Sequence, residues 1–123
     1  MRHGAPAAGD PFASDAGGDV RTLGRSDAVP EGYVMPYYLE DRKHRLAVAR
    51  IAGRLYAFDD LSPSDRSPLS SGLLTGTEIM SPCDASRFDV TTGKAVGGPA
   101  TEPLRTYAVR ELNGEVQVRV DAG

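Results

Sequence analysis

The chain has 123 residues, 40% hydrophobic and 25% charged, with 14 Lys and Arg against 17 Asp and Glu for a net charge of −3. That size suits one small domain with a modest core. Mild acidity without a basic stripe argues against a nucleic-acid partner, and no apolar run approaches the ~18 residues needed to cross a bilayer. Met1 to Asp10 lack the apolar stretch of a signal peptide, and Cys83 is the one cysteine, so no intramolecular disulfide forms. The expected location is the cytoplasm.

Residues 1–18 are rich in Gly, Ala, Pro and Asp without periodicity and read as a flexible tail, leaving 19–123 as the domain. From there the pattern is β. Tyr33–Leu39 and Arg45–Ile51 flank a polar turn, Glu40 to His44, and Ala52-Gly53-Arg54 turns the chain into Leu55–Asp59. Next come two loops rich in Ser, Pro and Asp: Asp60 to Leu69, and Ser81 to Asp89. At the end, Tyr107–Leu112 and Glu115–Val120 flank Asn113-Gly114, a strong hairpin signal because both turn positions need positive φ. Val116, Val118 and Val120 alternate with Glu115, Gln117 and Arg119, as in a half-buried strand. No segment has a helical period. The fold class is an all-β antiparallel sandwich with a two-loop insertion.

Several fixed features accompany the loops. Pro68-Leu69 follows the first, Gly72-Leu73-Leu74-Thr75-Gly76 fills the link, Phe88-Asp89 and Thr92-Gly93 follow the second, and Gly97-Gly98-Pro99-Ala100 comes after. From about Asp19 to Val120 this order resembles the Rieske iron–sulfur domain, and most closely its small soluble ferredoxins. That resemblance implies a [2Fe–2S] cluster on two cysteines and two histidines, from a C-x-H and a C-x-x-H loop. The corresponding slots here read Ser62-Pro63-Ser64 and Ser81-Pro82-Cys83-Asp84. Ser67 and Cys83 stand where some members carry a disulfide between the loops. Gly97-Gly98-Pro99-Ala100 stands where the family places a proline loop over the cluster. Ala85 stands where the family usually has glycine. Hydroxyls and one carboxylate are poor substitutes for thiolate and imidazole, so the expected cofactor is none and the expected ligand count at Ser62, Ser64, Ser81 and Asp84 is nil.

The vacated tip is then the candidate site. Asp84 is the leading candidate acid or base, provided a dry niche raises its pKa, with Cys83 and Asp65 as further catalytic candidates. Ser62, Ser64, Ser67, Ser81, Arg66, Arg87 and Pro99 are candidate substrate-binding residues. An oxygen-ligated Mg²⁺ or Ca²⁺ on Asp65 and Asp84 is a weaker alternative, because no ordered ligand spacing supports it. Ser and Asp are also common in loops without any site. The leading expectation is redox-neutral small-molecule binding, or cofactor-independent chemistry of the isomerase, cyclase or lyase type, on a repurposed scaffold in specialised metabolism. The second is a non-redox accessory or docking subunit of a larger reductase or oxygenase. The small subunit of some nitrite reductases, which resembles a Rieske domain without ligands, is a precedent for it. An electron carrier comes last. The expected partner is a small molecule or a larger enzyme subunit.

Overall fold

The alternation read at the end of the chain places one layer directly. The computed structural model describes Phe12 and residues 19–120. In it β11 (Glu115–Arg119) buries Val116 and Val118 and turns Glu115 to solvent. It lies between β1 (Val20–Arg25) and β10 (Val109–Leu112) in a three-stranded antiparallel sheet. Asn113 and Gly114, with φ of 54° and 78°, close the β10–β11 hairpin as the sequence predicts. Val120 follows the strand and is still buried.

A second sheet orders β2 (Val34–Leu39), β3 (His44–Ile51), β4 (Arg54–Asp59) and β9 (Thr106–Tyr107). Leu46, Ala47, Val48 and Ala49 of β3 are all fully buried, because this strand is covered on both faces. Leu46 and Val48 pack with Ala57, Val116 and Val118 in a core shared with the first sheet. Ala47 and Ala49 face the other way, into a second core with Phe58, Leu69, Ile79 and Phe88. That second core carries the insertion, itself a four-stranded sheet of β5 (Leu73–Thr75), β6 (Glu78–Met80), β7 (Arg87–Asp89) and β8 (Ala95–Gly97). Gly72 sits where its chain crosses Met80, and a Cβ there would come 1.9 Å from the Met80 carbonyl oxygen. The only helical turns among the described residues are 3-10 turns at Ser26–Ala28 and Leu69–Ser71. No helix among them is long and apolar enough to cross a membrane.

Two sequence expectations change. His44 begins β3 rather than ending a turn, and the predicted strand Tyr107–Leu112 is two strands separated at Ala108. The tail expected over 1–18 lies outside the described residues except for Phe12, whose ring sits 4.4 Å from the Arg110 guanidinium.

The first loop is anchored by a buried carboxylate. Asp60 is 0% exposed. Its Oδ1 accepts the Ser70 N–H at 2.7 Å, while its Oδ2 accepts from Arg45 Nε at 2.5 Å and from the Ser70 hydroxyl at 3.1 Å. Its carbonyl accepts the Leu69 N–H at 2.6 Å. One side chain therefore ties β3 to both ends of the loop. Asp60→Ala is expected to cost about 3 kcal/mol in urea unfolding, since it removes a buried partner set.

Candidate functional site

The two loops prove to be one hexad used twice, Ser62-Pro63-Ser64-Asp65-Arg66-Ser67 and Ser81-Pro82-Cys83-Asp84-Ala85-Ser86. In each, the first serine N–H donates to the last serine carbonyl, at 2.9 Å for Ser62 to Ser67 and 2.8 Å for Ser81 to Ser86. In each, the aspartate Oδ1 accepts the N–H two residues on, at 3.0 Å for Ser67 and 2.9 Å for Ser86. This is the local turn that Asp favours. In each, the fifth residue has positive φ, 64° at Arg66 and 62° at Ala85. The repeated S-P-x-D-x-S was the available signal for this symmetry, and the sequence reading above passed over it.

Each loop's aspartate also reaches the other loop. Ser64 Oγ donates to Asp84 Oδ2 at 2.7 Å, and Ser81 Oγ donates to Asp65 Oδ2 at a longer 3.5 Å. The Ser67 and Ser81 hydroxyls are 2.7 Å apart, and those of Ser62 and Ser64 are 2.9 Å apart. Ser62, Ser67 and Ser81 are buried, with Ser62 turned to Ser64 and Ser67 turned to Ser81. The proline loop closes on top: Ala100 N–H donates to Ser86 Oγ at 3.0 Å. Gly98, at φ 77°, lies so near that a Cβ would come 2.6 Å from Ser86 Cα. What remains open is a shallow groove of about 350 Å³ lined by Pro63, Ser64, Asp84, Pro99 and Glu102 among others.

The candidate residues therefore separate. Ser64, Asp84 and Pro99 share the groove. Asp65 is exposed and turned to its own loop and to Ser81. Arg66 faces away, into a cleft with Lys43 and His44. Arg87 pairs with Glu78 at 3.2 Å across β6 and β7 and lies over Gly97. The dry niche expected around Asp84 is absent. The Ser64 hydroxyl and then the Ser86 N–H hold its carboxyl below the usual carboxylate value, so it stays ionised and is a weak base near neutral pH. Cys83 is exposed, and His44 cannot activate it because its Nε2 is held by Asp59 at 2.8 Å and Tyr107 OH at 2.9 Å. Among the described residues no three His, Cys, Asp or Glu side chains converge, and Asp65 and Asp84 each accept from serine hydroxyls.

Would a [2Fe–2S] group fit here? At the four ligand positions the donors are three hydroxyls and a carboxylate, and they are engaged with one another across the loops. They do not match the soft thiolate and imidazole set of such a cluster.

The Rieske-like [2Fe–2S] domain model matches residues 24–119. Among curated relatives, the ferredoxin component of the naphthalene 1,2-dioxygenase/salicylate 5-hydroxylase systems of Ralstonia sp is 35% identical, over 77% of this chain and 89% of that protein. Among solved structures, the Sphingomonas yanoikuyae B1 ferredoxin is 29% identical with a TM-score of 0.77, covering 82% of this chain and 98% of that one. A chain from a complex of reduced oxygenase and oxidized ferredoxin in carbazole 1,9a-dioxygenase is 27% identical with a TM-score of 0.78, covering 85% and 95%.

These relatives overturn the leading functional expectation. The curated relative is the ferredoxin component of dioxygenase/hydroxylase systems and the first solved one is a ferredoxin, so the electron-carrier reading placed last above fits them better than redox-neutral chemistry. The expectation of a scaffold that has shed its cluster and been repurposed is corrected by the same finding. What stands is narrower: Ser62, Ser64, Ser81 and Asp84 are not the family's donor set.

Two substitutions read this geometry. Ala85→Gly relieves a left-handed residue and is expected to raise stability by about 1 kcal/mol in urea unfolding. Combined with Ser62→Cys, Ser64→His, Ser81→Cys and Asp84→His, it restores the donor types on loops already in contact. The expected outcome is stoichiometric iron and acid-labile sulfide, with a Rieske-type EPR signal on reduction, which the parent's donors do not support.

Proposed function

The chain belongs to the Rieske-like [2Fe–2S] domain family, and on that premise we propose that it is the ferredoxin-type component of a multicomponent oxygenase system. In this reading it works in the cytoplasm and meets the oxygenase subunit through its two-loop tip. The observation that carries the proposal is the match to a ferredoxin component over 89% of that protein's length. The likeness to a ferredoxin–oxygenase complex supports the choice of partner. The tip itself suits docking. Pro82 and Pro99 are exposed, Pro63 partly so, and these rings lose no rotamer freedom when covered. The loops beneath them are already fastened by cross-loop hydrogen bonds, which lowers the ordering cost of association further.

Electron delivery by such a component needs a redox group, and the donor set present does not fit one. The part of the role that this chain's own side chains perform is therefore recognition, by a proline-edged groove that two carboxylates line, Glu102 and the hydrogen-bonded, ionised Asp84.

The proposal is tested by measuring binding of the full chain to the terminal oxygenase subunit of its own organism. Saturable one-to-one binding is expected. Pro99→Arg, on the groove, should weaken it about tenfold, while Leu112→Glu, on the sheet remote from the tip, should leave it unchanged. No binding, or equal weakening by the two variants, would overturn the assignment.

A further inference from the structure

We infer that a second surface, the cationic cleft between the β2–β3 turn and the first loop, docks an acidic patch of the same oxygenase-type partner. This rests on the reading above and adds the chemistry of recognition and its orientation. Lys43, His44, Arg45 and Arg66 line a cleft of about 180 Å³. Through His44 it joins a neighbouring cleft of about 200 Å³ edged by Arg105, and through Arg45 it joins a third beside Tyr38. The three clefts share these lining residues and together make a band beside the β2–β3 turn.

Charge is layered across this band. The Asp60 carboxylate is fully buried beneath Arg45. Asp59 turns inward, its Oδ1 accepting from Tyr107 OH at 2.6 Å and contacting His44 Nε2 at 2.8 Å. Asp65, next in sequence to Arg66, faces Ser67 and Ser81. Lys43, Arg45 and Arg66, which line the cleft against one acid, Asp59, are exposed, as is Arg105; Glu40, Asp41 and Asp65 are exposed in the same turn and loop but do not line it. In a chain of net charge −3, such a local excess of cations favours an acidic patch of the partner at this face. Tyr38, 58% exposed at the band's end, adds an aromatic of the kind that anchors interfaces.

Backbone conformation supplies independent support. Lys43 and Arg66 both have positive φ, 49° and 64°. Glycine would hold either turn without strain, so neither cation is placed there by the needs of folding. Of the other described non-glycine residues with positive φ, Ala52 and Asn113 precede Gly53 and Gly114 in hairpin turns, and Ala85 belongs to the second loop. Two strained positions thus present exposed cations to one cleft. Strain kept at a surface site is the mark of a function that uses it.

The test pairs stability with affinity on the full chain and its oxygenase subunit. Lys43→Gly and Arg66→Gly are each expected to raise the melting temperature while weakening the complex about fivefold, and the double variant should flatten the salt dependence of Kd. Lys94→Gly, in the β7–β8 turn, should leave affinity unchanged. Glycine variants that bind like the parent would overturn the inference and leave the proposed function standing. A fall in melting temperature would overturn it too, by removing the strain argument. If the parent binds no oxygenase subunit, the inference falls with the reading it rests on.

Discussion

The tip depends on one buried charge. Asp60 receives Arg45 from β3 and Ser70 from beyond the first loop, so the loop's two ends are held together beneath the surface. A buried carboxylate is costly unless each oxygen is satisfied, and here each is. The adjacent Leu61–Pro68 bridge and the Leu69-to-Asp60 backbone bond then close the base of the loop without further help. The left-handed Arg66 and the reach of Ser64 across to the second loop both follow from that closure.

Above this base the two hexads face each other as near copies. Each fastens itself through its aspartate and then fastens its neighbour through a serine, so the contact between loops is a reciprocal clasp. The clasp is what small hydroxyls can do at close range: every donor finds an acceptor, and buried Ser62, Ser67 and Ser81 leave no polar group stranded. The same economy explains why Asp84 is a poor proton acceptor. The bonds that hold it in place stabilise its ionised form.

How much of this was readable beforehand varies with the physics involved. The terminal hairpin was plain, because Asn113-Gly114 fixes a turn and the valines mark one face. The strand Arg45–Ile51 was also read, but not that its run Leu46-Ala47-Val48-Ala49 is covered on both faces. The four tip strands were not, since three residues are too few to show an alternation, and β1 was hidden by Gly24, where the pairing slips out of register. At the site, the loops and their proline cover were found through the resemblance. The state of the niche was not, because whether hydroxyls face a cavity or one another is decided by the distance between two loops, which no local pattern encodes. The electrostatics of Asp84 reversed for that reason. The His44–Asp59–Tyr107 group was invisible too, as it joins residues from three strands.

Pairing of Val20 with Arg119 places the first and last strands side by side in one sheet, with everything functional strung between them. The tip strands pair with sequence neighbours through short turns, whereas the β1–β11 ladder closes a loop of nearly the whole domain. Closing so long a loop is entropically the hardest event in assembly, while local hairpins form early. The order of folding is thereby set against the order of use: the recognition end takes shape while the base that presents it is still open. Because β3 carries both cores, the base cannot finish without the tip seated on its other face. Joining the first and last described strands is therefore the closure of greatest entropic cost, across a strand whose other face the tip covers.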